Sequence, residues 1–244
     1  MTYNSSFLDS LNSIDKSWND FLTSEIIQDI KSIENSIHET DKDFTPIAPF
    51  VLRFLERSLL NVKVLILGQD PYPQKGVATG RAFEVGTLKS WNEKFSNISL
   101  KNIIRAIYYS NKNSYLKYSE IKPKIGAEFP LDPPYELFVN WEKQGVLLLN
   151  TSFTCETGNS NSHEKLWKSF TIKLLEYIAS YNSQIIWFLW GNNAKFIVED
   201  INIKYKIESM HPMMCYDKPG RGDDFLFGKI NPFLETKNLI NWLG

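Results

Sequence analysis

Apolar side chains along this chain recur at two spacings. From about residue 16 to 38, Trp18, Phe21, Leu22, Ile26, Ile27 and Ile30 fall at helical intervals, which predicts a helix. A second helix is expected over about 49–60, leading into the run Val62-Lys63-Val64-Leu65-Ile66-Leu67, which reads as a strand. Ser99 can cap a helix through about 110 that turns Leu100, Ile103, Ile104 and Ile107 inward. The Lys-, Tyr- and Pro-rich segment 111–134 reads as an irregular insertion. Gly145-Val146-Leu147-Leu148-Leu149-Asn150 then reads as a fully buried strand. A helix at about 162–182, a strand at 184–190, a short helix from about 191, a strand at 203–208 and a last helix at about 231–242 complete the pattern.

Strands alternate with helices, without internal repeat or low-complexity linker. The expected fold is α/β: a single domain over 1–244 with a central, mostly parallel four-stranded sheet flanked by helices on both faces. Such sheets collect functional groups at the carboxyl ends of their strands. Asp70, Asn150, Gly191 and His211 each stand at or just beyond one of the four predicted strand ends.

Composition narrows the picture only slightly. At 244 residues, 43% hydrophobic and 23% charged, the chain can bury a substantial core. A net charge of −1 gives no global signal for nucleic acid, although a local basic face is compatible with it. Cys155 and Cys215 lack metal-ligand spacing, and His38, His163 and His211 are scattered, so neither a metal nor another cofactor is expected. No apolar run approaches the roughly 20 residues of a membrane span. The first residues lack a signal-peptide pattern, so the expectation is a cytoplasmic protein, without membrane contact.

The richest stretch is Gly68-Gln69-Asp70-Pro71-Tyr72-Pro73, at the end of the first strand. Two prolines fix the backbone of a turn that carries one carboxylate and one aromatic ring. On these residues alone, a Pro-rich turn with a solvated Asp fits equally well.

Further segments change that balance. Gly80-Arg81-Ala82-Phe83, Leu147-Leu148-Leu149-Asn150-Thr151, Asn161-Ser162-His163, Trp187-Phe188-Leu189-Trp190-Gly191 and His211-Pro212 follow in order. With the Asp70 turn, this series resembles the family 1 uracil-DNA glycosylases, from about Trp18 to Trp242. The resemblance implies hydrolysis of the N-glycosidic bond of a flipped-out pyrimidine in DNA, uracil foremost. It implies that Asp70 orients the water and that His211 donates to the base O2. It implies that Phe83 stacks on the base, Tyr72 fills the space beside C5, Asn150 reads O4 and N3, and Gln69 offers a backbone donor near O2. Asn alone does not settle the base, because a flipped amide would match cytosine.

The chain departs from the family's pattern where DNA is gripped. Pro73 stands in place of the usual His. The family's His-Pro-Ser-Pro-Leu-Ser loop reads His211-Pro212-Met213-Met214-Cys215-Tyr216, with Cys215 in the position of the wedge Leu. Asn192 replaces a Ser, and Ser99 alone matches a phosphate-gripping serine. Met213 or Met214 can serve as wedge, and Arg221, Lys218 and Lys75 can meet phosphates. Three readings stay open: a uracil-DNA glycosylase with an altered grip, a glycosylase for a modified pyrimidine such as one in foreign DNA, and a binding module on an inactive scaffold. The expected partner is DNA, single- or double-stranded, met by a monomer; a protein inhibitor or replication partner is left open.

Overall fold

A computed structural model describes residues 7–215 and 222–244. Its helices are α1 (Ser24–His38), α2 (Ala48–Val51), α3 (Ile98–Lys112), α4 (Tyr118–Ile121), α5 (Pro134–Gln144), α6 (Glu164–Tyr181), α7 (Asn192–Phe196) and α8 (Pro232–Glu235). Its strands are β1 (Phe44–Thr45), β2 (Val64–Gly68), β3 (Val146–Asn150), β4 (Cys155–Glu156), β5 (Ile186–Trp190) and β6 (Tyr205–Ser209).

Four strands form a parallel sheet in the order β3-β2-β5-β6, as the alternating pattern predicts. Successive side chains of a strand point to opposite faces, and here both faces are buried. Leu65, Leu67, Leu147, Leu149, Trp187 and Leu189 enter one apolar layer, with α1 and α6. Val64, Ile66, Val146, Leu148, Phe188 and Trp190 enter the other, with α3 and α5. This is why β2 and β3 read as unbroken apolar runs. β6 lies at the edge, with Lys206 and Glu208 exposed.

The chain steps from β2 to β3 on one side of the sheet and to β5 and β6 on the other. The crevice outside the carboxyl ends of β2 and β5 is therefore a topological switch point, where open α/β sheets bind ligands. Asp70, Asn150, Gly191 and His211 lie along that edge.

Several boundaries differ from the sequence expectation. The helix expected over 16–38 is two pieces. Asp15 caps a 3-10 turn at Lys16–Trp18, and Thr23 caps α1, its Oγ1 accepting from the Ile26 N–H at 3.3 Å. The helix expected over 49–60 breaks after Val51 into 3-10 turns, because Leu52 leaves helical geometry (φ −111°, ψ 22°). Ser99 does not cap α3: Asn97 holds the cap position, and Ser99 is buried within the first turn. The segment 111–134 contains α4, and α5 follows with Pro134 in its first turn, where the missing N–H is harmless. The last helix stops at Glu235, where the Thr236 hydroxyl donates to Pro232 O at 2.7 Å. A two-stranded antiparallel ribbon, β1 with β4, has no counterpart in the sequence reading. Among the described residues, no helix is long and apolar enough to cross a membrane.

Candidate active site

A cleft of about 270 Å³ opens at the switch point, and the Asp70 turn forms one wall of it. Gln69, Asp70, Tyr72, Phe83, Asn150, Ser99, His211 and Met213 all line it. Residues far apart in sequence thus meet, as the strand-end argument expects.

Asn150 ends β3, directly across the ladder from Gly68. A Cβ at Gly68 would collide with the Asn150 carboxamide, so glycine is needed for the amide to lie along the cleft floor. Asn150 is buried (6% exposed), and its side-chain amide has no hydrogen-bond partner among the described residues.

Asp70 is held by a residue that the sequence reading left without a role. The Asn161 backbone N–H donates to Asp70 Oδ2 at 2.8 Å. Asn161 has a left-handed backbone (φ 63°), which Asn tolerates better than most residues. Its side-chain Oδ1 accepts from Gln69 Nε2 at 2.6 Å, so one turn fixes two neighbours of the Asp70 turn. Burial pushes the Asp70 carboxyl above the usual carboxylate range; the Asn161 N–H opposes this and Glu164 adds to it. The sequence signals for Asn161 are the segment Asn161-Ser162-His163 in the family series and its turn-rich setting, Gly158-Asn159-Ser160-Asn161; neither assigns it to Asp70.

His211 lies two residues past β6. Its Nδ1 accepts from the Met213 N–H at 3.2 Å. That bond assigns the neutral tautomer, with the proton on Nε2. Burial lowers the His211 pKa, which favours the neutral ring. Gly191 (φ 88°) packs beneath it; an added Cβ would stand 2.9 Å from His211 Cβ. The turn that follows is anchored by Asn102, whose Nδ2 donates to Pro212 O at 2.7 Å.

Phe83 also has a left-handed backbone (φ 66°), rare for a bulky residue outside functional sites. Its ring lies 5.5 Å from Trp190 and 6.0 Å from His211. Beneath this turn is a buried ionic network whose members no sequence spacing brings together. Arg81 donates to Glu84 at 3.0 Å and to Glu142 at 2.7 Å, and Thr79 also bonds Glu84. Arg57 approaches Glu142 at 3.4 Å, and Arg53 donates to Thr79 O at 2.9 Å. Arg81 is thus committed to its carboxylates.

Tyr72 packs its ring into the cleft wall, and burial pushes its phenol up to about 12. Cys155 Sγ donates to Pro71 O at 3.5 Å and Gly158 N–H to Pro73 O at 2.8 Å, bracing the turn.

The remaining candidates separate. Met213 and Met214 are exposed (55% and 43%), Met213 at the mouth and Met214 in a neighbouring recess with Asn192. Cys215 turns inward against the second apolar layer and does not line the cleft. Lys75 is exposed and pairs with Asp43 at 2.9 Å, away from the cleft. Arg221 and Lys218 lie outside the described residues. Among the described residues, no cluster of His, Cys, Asp and Glu could hold a metal ion.

Comparison with known proteins gives a consistent picture. The family model of the uracil DNA glycosylase superfamily matches residues 56–235. A uracil-DNA glycosylase of Fusobacterium nucleatum is 32% identical, over 96% of this chain and 94% of its own. Uracil-DNA glycosylase 1 of a Listeria monocytogenes strain is 36% identical over 74% of each. The crystal structure of the UNG from Nitratifractor salsuginis superposes with a TM-score of 0.66 at 23% identity, covering 85% of this chain and 87% of that one, which speaks to the fold. A mimivirus UNG variant in complex with UGI superposes with a TM-score of 0.66 at 25% identity, over 86% of this chain and 73% of that one. With one relative aligned nearly end to end and the family model matched through every strand of the sheet, the chain belongs to the uracil DNA glycosylase superfamily.

Proposed function

We propose that this protein hydrolyses the N-glycosidic bond of uracil in DNA, releasing the free base and leaving an abasic site. The observation that carries the reading is the convergence of Asp70, Asn150, Phe83 and His211 on one cleft, with the Asn150 amide unpartnered. Bond cleavage builds positive charge on the sugar and negative charge on the base, and preorganised groups lower the barrier by meeting both. Ionised Asp70 orients a water toward the sugar C1′ and takes its proton as the C1′–N1 bond breaks. Neutral His211 donates from Nε2 to the base O2 as charge gathers there. The uracil anion leaves and takes its proton from solvent.

Recognition follows from the rest of the lining. The Phe83 ring stacks on the base, an interaction worth roughly 1–3 kcal/mol that does not distinguish bases. Asn150 donates to O4 and accepts from N3–H, a pattern that uracil matches. The Gln69 backbone adds a donor near O2. Tyr72, its phenol neutral, closes the space beside C5 and excludes thymine's methyl. Ser99 and Met213 in the cleft lining, and Asn192 and Met214 in the adjoining recess, contact DNA, with Met213 as the wedge. Cys215 supports that turn from behind.

The test is base release from matched oligonucleotides, single- and double-stranded, carrying uracil, thymine, cytosine or a bulky C5-modified cytosine, with Asp70→Asn as control. Uracil release that needs Asp70 supports the reading. Release of the modified base alone, or of none, overturns it. Tyr72→Ala should admit C5-substituted bases; an unchanged preference removes the gatekeeper role.

A further inference from the structure

The cleft is continuous with a longer channel. Tyr72, Ser99 and Met213 line both the cleft and a neighbouring groove of about 640 Å³. Glu93, Lys94 and Phe95 carry that groove into a recess of about 410 Å³, walled by Lys101, Tyr118 and Lys122.

The lining has a definite chemistry. The Phe95 and Tyr118 rings meet edge to face, 5.4 Å apart. Lys101 Nζ stands 5.0 Å from the Phe95 centroid and 5.9 Å from that of Tyr118, so the rings hold an ammonium at the channel wall. Lys122 Nζ donates to Asn92 O at 2.9 Å and keeps further N–H donors. Lys94 is exposed. Among the described residues, Glu93 is the one acid lining the groove and recess, and its Oε1 already accepts from the Lys89 N–H at 3.2 Å. In a chain of net charge −1, three ammonium groups against one carboxylate is a local excess.

Cations interleaved with aromatic faces are what a single strand needs, since it presents phosphates and unpaired bases together. A duplex keeps its base faces stacked on one another and leaves such rings unused. We propose that this channel carries the single-stranded DNA that flanks the extruded nucleotide. Lys94, Lys101 and Lys122 meet its phosphates, and Phe95 and Tyr118 offer their rings to its bases. The inference rests on the cleft being the place where the target base enters, and it adds to that site a flanking-strand subsite beyond the cleft mouth.

The test is binding of the full-length chain to labelled single strands that carry one central uncleavable 2′-fluorodeoxyuridine, trimmed one nucleotide at a time from either end. Affinity should fall stepwise on trimming from one end. The Lys101→Glu, Lys122→Glu double variant should abolish that dependence and lower the slope of log affinity against log salt by about 0.7 per lost phosphate contact. Lys101→Arg should retain both, and Tyr118→Leu should weaken binding of the long strand roughly tenfold. A charge-reversed variant with unchanged length dependence and salt slope overturns the proposal. An equal loss on duplex overturns the single-strand assignment. Release from a cleavable uracil strand, measured in parallel, reports on the glycosylase activity separately: length-dependent binding without release would sink that activity and leave the channel standing.

Discussion

The Asn161 backbone N–H donates to Asp70 Oδ2 at 2.8 Å, and Asn161 makes that bond from a left-handed conformation. The Asp70 carboxylate is therefore positioned by a turn ninety-one residues away. Asn161→Gly should preserve the turn, because glycine adopts φ > 0 freely, and lose only the Gln69 tie. Asn161→Val should cost about 1–3 kcal/mol of backbone strain and withdraw the N–H. The Asp70 pKa should then rise further, moving the acid limb of the pH–rate profile upward. Profiles of the two variants decide this; matching acid limbs would remove Asn161 from the positioning of Asp70.

Burial raises the Asp70 pKa and lowers that of His211. Base release should fall as pH drops through the raised Asp70 pKa, where the carboxylate takes a proton. It should stay level at neutral pH and above, where His211 is uncharged. His211→Ala should cut the chemical step by at least about a hundredfold with little loss of DNA binding. Single-turnover rates beside binding isotherms separate the two effects; equal losses in both would make His211 a structural residue.

A carboxyl whose pKa is raised on folding weakens the fold at any pH above its unfolded value, because the native state disfavours the charge. Asp70→Asn removes the charge and keeps an acceptor for the Asn161 N–H. It should abolish activity and raise stability at neutral pH by about 0.5–2 kcal/mol. The gain should vanish in acid, as the wild-type carboxyl protonates. Urea titrations at the two pH values check it.

Arg81 joins Glu84 and Glu142 in a buried network under the Phe83 turn. Arg81→Met should destabilise by about 3–5 kcal/mol, since it leaves buried Glu84 without its cation and Glu142 with Arg57 alone. Denaturant melts report the loss. A small change would mean that water or Arg53 compensates.

Gly191→Ala places a methyl 2.9 Å from His211 Cβ at a backbone with φ 88°. Strain of about 1–2 kcal/mol is expected. The imidazole must also shift, so the rate should fall more than the stability does. Parallel melts and rates test the difference.

Much of this was legible in the sequence, for physical reasons. β2 and β3 are apolar on both faces, and only a covered parallel sheet tolerates that, so their position and the ends that line the cleft could be read directly. Helix limits were less legible because they turn on single residues. Leu52 breaks a helix that the apolar spacing would continue, and Pro134 starts one in a segment that looks like a loop. Contacts between distant segments carry no local signal. The Asn161 clasp on Asp70 and the Arg81–Glu142 pair need the fold to bring them together.

The donor that fixes the tautomer of His211 is the main-chain N–H of Met213, and every residue except proline supplies that group. The rim of the cleft is therefore modular. Its side chains can drift, and with them the way DNA is held, while the amide that sets the imidazole stays constant. A lineage under pressure to change its nucleic-acid grip could rewrite the residues after His211-Pro212 without passing through an inactive ancestor.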